Sequence, residues 1–95
     1  MNRQQIIESL QRYKKTAGKY PIAHLGLFGS FARNENQQGS DIDILIDFSG
    51  DIGWEYFDLA NELKQLFAGY KVDVVSRRAI PDLYWNEIKK EVVYA

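Results

Sequence analysis

Residues 41–48 read Asp41-Ile42-Asp43-Ile44-Leu45-Ile46-Asp47-Phe48. Their alternation predicts a β-strand, because successive side chains along a strand point to opposite faces. Ile42, Ile44 and Ile46 then share one face; Asp41, Asp43, Leu45 and Asp47 share the other. Asp41 and Asp43 stand ~6.5–7 Å apart at Cα on that second face. Two carboxylates so placed repel each other, and burial of the strand adds a desolvation cost. A hard divalent cation removes the conflict, and Mg²⁺ prefers oxygen ligands. Taken alone, the pair equally suits a strand edge facing water, where aspartates discourage edge-to-edge pairing. Asp47 lies ~13 Å from Asp43 along the strand, too far to share a ligand set.

Downstream, Lys71 to Val75 repeats the pattern, with Val72 and Val74 on one face and Asp73 on the other. Aspartate is disfavoured inside a short apolar strand. If this strand lies beside the first, Asp73 joins Asp41 and Asp43. Three carboxylates on adjacent strands would then serve one or two Mg²⁺ ions, the arrangement that clamps both oxygens of a phosphoryl transfer. Upstream, Ile22 to Phe28 reads as a buried strand that breaks at Gly29-Ser30. A strand, a Gly-Ser turn and a helix-like start can present backbone N–H groups to a phosphate. Gly29 would allow close approach, Ser30 would bond a phosphate oxygen and Arg33 would add charge. The plainer reading is a tight turn with Ser30 as an N-cap. The turn lacks the Gly-Lys-Ser/Thr of a Walker-type loop. Asn34 to Gly39 is polar and turn-like.

Helices fill the rest. Arg3 to Ala17 carries Ile6, Leu10, Tyr13 and Ala17 at helical spacing, with Ile7 beside them. After the loop Ser49–Gly53, Trp54 to Phe67 carries Tyr56, Ala60, Leu63 and Phe67 on one stripe. Pro81 suits a first turn, so Pro81 to Val93 is expected to be a closing helix with Trp85, Ile88 and Val92 buried. Asp51 and Asp58 read as helix-start and solvent-facing residues, and His24 as a strand residue rather than a catalytic base. The order predicts one α/β (α+β) domain over residues 1–95. It is a small mixed sheet of three or four strands, with helices packed on one face and the carboxylates on the other.

Composition excludes several classes. Apolar residues make up 45% of the chain, which argues against disorder. With no cysteine, disulfides, thiolate metal sites and cysteine nucleophiles are ruled out, and a reducing cytoplasm is expected. Met1 to Lys15 is too polar for a signal peptide, and no apolar run nears the ~20 residues of a membrane span. Twelve basic against thirteen acidic residues leave no phosphate-gripping excess. Direct nucleic-acid binding is therefore not expected, and Lys14-Lys15 and Arg77-Arg78 read as solvated edges.

Gly29-Ser30, ten intervening residues and Asp41-Ile42-Asp43 resemble the signature of the DNA polymerase beta-like nucleotidyltransferase superfamily. The text Gly29–Arg33 with Gly39–Phe48 is most similar to its minimal nucleotidyltransferase branch. Lys71–Val75 matches the strand of the third carboxylate, and residues 80–95 match the branch's last helix. The resemblance implies that Gly29 and Ser30 hold a nucleoside triphosphate, with Arg33 assisting. Asp41 and Asp43 would ligate two Mg²⁺ ions; Asp73 would ligate the catalytic ion and help deprotonate the acceptor hydroxyl. It further implies ATP as donor and a helical HEPN-domain toxin as partner, AMPylated on tyrosine by this chain as antitoxin. A non-catalytic antitoxin that neutralises the toxin by occlusion alone is the alternative. Trp54, Tyr84, Trp85 and Tyr94 would suit a partner surface or core packing equally.

Overall fold

A computed structural model describes all 95 residues. Helix α1 spans Arg3–Thr16, strand β1 Ile22–Phe28, strand β2 Ile42–Phe48, helix α2 Glu55–Leu66 and strand β3 Val72–Ser76. A 3₁₀ turn at Arg77–Ala79 follows, then helix α3, Asp82–Ile88, and strand β4, Val93–Tyr94. The four strands lie in the order β3-β2-β1-β4. β1 runs antiparallel to β2 and to β4, whereas β2 and β3 are parallel. Parallel neighbours need a long crossover, and α2 supplies it.

The alternation of β2 sets the core. Ile42, Ile44 and Ile46 are fully buried with Leu25 and Leu27 of β1, beneath Ile6 and Leu10 of α1 and Leu59 and Leu63 of α2. Leu59 joins a stripe expected to centre on Tyr56, Ala60, Leu63 and Phe67. Burying so many branched side chains is the main stabilising term, at ~1.5–3 kcal/mol each. A capping box opens α1: the Asn2 side chain accepts the Gln5 N–H, and the Gln5 side chain accepts the Asn2 N–H, both at 2.9 Å. Lys14 and Lys15 fall in its last turn, where cations complement the helix dipole. Glu62 of α2 accepts hydrogen bonds from Tyr13 of α1 and from Tyr20, locking the two helices together.

The closing helix is shorter than its periodicity suggests. α3 stops at Ile88, and Trp85, Ile88 and Val92 are only partly buried. Val93 and Tyr94 pair instead with Leu27 and Gly26, and the Ala95 N–H donates to the Leu25 carbonyl at 2.8 Å. Backbone groups along the free edge of β1 need partners, and a β-branched, aromatic run supplies them better than a last helical turn. Leu45 and Ile80 are buried outside the main core cluster; by register Leu45 belongs to the carboxylate face, opposite the fully buried isoleucines. Arg78 donates to the carbonyls of Phe48 (3.2 Å) and Gly50 (2.8 Å). Arg77 stacks 4.3 Å from the Trp85 ring centre. Arg78 thus ties the 3₁₀ turn to the end of β2, and Arg77 ties it to α3. No helix is long and apolar enough to cross a membrane.

Candidate active site

Topology gathers one end of each strand. β1 ends where antiparallel β2 begins, and Phe28 pairs with Asp43. β3 begins beside them in parallel, so Asp73 lies directly across from Asp43. Adjacent strands are ~4.8 Å apart, and paired residues present side chains to one face. Asp41 immediately precedes β2 and lies two residues from Asp43 on the same side.

After Phe28 the chain makes a single helical turn. The Arg33 N–H donates to the Gly29 carbonyl at 3.1 Å. The Asn34 N–H reaches the Phe31 carbonyl at 3.3 Å, and the Glu35 N–H reaches the Ser30 carbonyl at 2.8 Å. With Asn34 at φ 58°, these bonds form a Schellman closure, anchored by buried Phe31 and Ala32. The expected helix-like start is thus one turn long. Gly29 has φ +77°, and a Cβ there would lie 2.1 Å from Asp43 Oδ2. Glycine is needed twice over: for the left-handed backbone and because the Asp43 carboxylate fills the space.

Burial, with the carboxylates of Asp73, Asp41 and Glu91 nearby, pushes the Asp43 carboxyl up to about 6. Arg33 offsets part of this. Asp73 is exposed, and Asp41 forms a 3.8 Å ion pair with Lys71. No three histidine, aspartate or glutamate side chains are grouped as a metal-ligand set. The carboxylates of Asp41, Asp43 and Asp73 do not already form a ready ligand set, yet Asp73 and Asp41 lie near enough to Asp43 to raise its carboxyl. The parallel register of β2 and β3 puts Asp43 and Asp73 side by side. The donor chemistry still suits a hard divalent cation, since it consists of carboxylate oxygens with no thiolate or imidazole among them.

Sequence reasoning missed Glu91. The antiparallel pairing of Leu27 with Val93, continued two residues, sets Glu91 opposite Gly29. Its Oε1 accepts the Gly29 N–H at 3.1 Å, and its Oε2 accepts from Arg33 Nη1 at 2.8 Å. The Val92-Val93-Tyr94 run held the available signal, because a strand there places Glu91 at its start. His24 is an exposed strand residue edge-on to Tyr94, 5.6 Å between ring centres.

A Gly-Ser turn beside an Asp-x-Asp strand, on a mixed sheet crossed by α2, is the framework of the polymerase beta-like nucleotidyltransferases. The family model described as "Polymerase beta, Nucleotidyltransferase" matches residues 4–95, and the chain belongs to that family. The protein adenylyltransferase MntA of Thermococcus cleftensis is 30% identical over 81 residues, covering 85% of this chain and 82% of its own. A Methanocaldococcus jannaschii relative with a provisional protein adenylyltransferase name is 37% identical over 93 residues, 95% of this chain and 94% of its own. Among solved structures, a toxin–antitoxin complex with AMP-PNP superimposes with a TM-score of 0.70 at 21% identity, covering 99% of this chain and 72% of the other. A tri-AMPylated Shewanella oneidensis HEPN toxin in complex with its MNT antitoxin gives 0.67 at 17% identity, covering 97% and 70%. At these identities the structural matches speak for the fold.

Proposed function

We propose that this chain is a Mg²⁺-dependent protein adenylyltransferase that moves AMP from ATP to a tyrosine hydroxyl of a HEPN-type toxin, acting as its cytoplasmic antitoxin. The observation that carries this is the strand register, which sets Asp73 beside Asp43 at the edge of the Gly29 turn. Relatives named protein adenylyltransferase and the AMPylated HEPN complex support the acceptor class.

The turn's N–H groups and Arg33 would bind the triphosphate and hold its α-phosphorus in line with the acceptor. Asp41, Asp43 and Asp73 would hold the Mg²⁺ ions, which would supply charge neutralisation for the transfer. Asp73, exposed at the rim, receives the hydroxyl proton as the acceptor oxygen bonds to the α-phosphorus. The α–β anhydride bond breaks, and pyrophosphate leaves past the Gly29 turn. Positioning and electrostatic stabilisation supply most of the rate in such transfers. Trp54, Phe57, Leu83 and Tyr84, all largely exposed, offer apolar surface to a protein acceptor.

Incubation with labelled ATP, Mg²⁺ and the toxin candidate encoded beside it tests the reading. Label should appear on the partner's tyrosine and vanish with Asp41→Ala/Asp43→Ala. A variant that still neutralises the toxin, with no label from either protein, would replace catalysis by occlusion.

A further inference from the structure

The Gly29 turn already holds an anion, and that anion belongs to the protein. Glu91 places one carboxylate oxygen on the Gly29 N–H and the other on the Arg33 guanidinium. These are two of the groups to which the proposed function assigns the triphosphate. A two-oxygen anion bridging a backbone amide and an arginine copies the contacts of a phosphate edge. The side chain is only 25% exposed, so the contact is a seated one.

We infer that Glu91 is an intramolecular substitute for phosphate: it holds Gly29 N–H and Arg33 in place and is displaced when the triphosphate binds. The inference rests on the nucleotidyltransferase reading of the site. Displacement requires no unfolding, because β4 keeps its own pairing through Val93, Tyr94 and Ala95. Only the Glu91 side chain has to swing away. In the free protein Glu91 spares the cradle an unpaired amide and holds the Arg33 guanidinium from one side while Glu35 holds it from the other at 3.1 Å. When nucleotide arrives, the same carboxylate competes with it and repels it.

Calorimetry on the full chain with Mg²⁺·AMP-PNP, and separately with inorganic tripolyphosphate, tests this using wild type, Glu91→Gln, Arg33→Gln and the double variant. Glu91→Gln should bind tripolyphosphate about tenfold tighter, as expected when a competing charge-assisted hydrogen bond is lost. In the Arg33→Gln background most of that gain should disappear. Catalysis should show a lower KM for nucleotide with kcat unchanged. A latch that merely secured β4 would lower the thermal midpoint and leave affinity alone. Unchanged or weaker binding by folded Glu91→Gln, or an equal gain in both backgrounds, overturns the inference while leaving the nucleotide reading intact. Wild type that binds neither ligand overturns both. If Glu91→Gln does not fold, wild-type NMR decides. The Gly29 amide and the Glu91 carboxyl carbon must shift together on adding tripolyphosphate, and a Gly29 shift with Glu91 unmoved refutes displacement.

Discussion

Asp43→Asn should abolish transfer and at the same time stabilise the free protein. Asp43 has a carboxyl value near 3.8 in an ordinary environment and about 6 in the fold. A carboxyl raised on folding is no burden below pH ~4, where it is protonated in both states. The burden grows as pH rises through the gap and is complete above ~6. The gap corresponds to about 3 kcal/mol at most. Asp43 is only half-buried, and solvent screening reduces this to about 1–1.5 kcal/mol. Asparagine keeps the shape and removes the charge, so at pH 7.5 the variant should melt ~5–10 °C higher. The assay is thermal unfolding of both proteins from pH 4 to 8 without divalent cations. The two curves should converge near pH 4 and separate above pH 6. Adding Mg²⁺ at pH 7.5 should raise the wild type and leave the variant unchanged. A variant less stable at pH 7.5, or a difference that ignores pH, would refute the claim that charge crowding dominates at Asp43.

Two further substitutions probe how the backbone builds the site. Gly29→Ala forces a Cβ into the 2.1 Å gap at Asp43 Oδ2 on a left-handed backbone; it should cost ~2–4 kcal/mol in urea unfolding and remove activity. Gly26→Val meets Val92 at 2.8 Å and Tyr94 at 3.3 Å, so it should strip amide-exchange protection from residues 93–95 while sparing that of β2.

The alternation at 41–48 made the core face legible, because a two-residue period admits no other surface for Ile42, Ile44 and Ile46. The Gly-Ser turn was legible as a turn, but its reason was not. Only the structure shows Asp43 occupying the place of a Gly29 side chain. Asp73 could be assigned to a face by Val72 and Val74, yet its neighbour depended on the parallel pairing of β2 and β3, a long-range choice made through α2. The end of the chain misled. Pro81, Trp85, Ile88 and Val92 keep a helical spacing, and local periodicity carries no information about an unpaired edge on β1, 60 or more residues upstream. Hydrogen-bonding demand along that edge overrode the pattern, and Glu91 moved from a helix to the mouth of the site.

The site stores electrostatic conflict, and the fold answers it in two ways. Asp43, wedged against Gly29 and facing three other carboxylates, responds by holding its proton toward neutral pH. Glu91 responds by taking the best donors available, the Gly29 amide and Arg33. Both arrangements suit a site awaiting a cation together with a polyanion. On this reasoning, Mg²⁺ alone would relieve Asp43 but leave Glu91 in place, and triphosphate alone would release Glu91 while adding negative charge beside Asp43. Only the metal–nucleotide complex resolves both conflicts in one step. The dry isoleucine face bears the cost of this unrest: strands anchored by Ile42, Ile44 and Ile46 can carry crowded carboxylates at one end without losing their register.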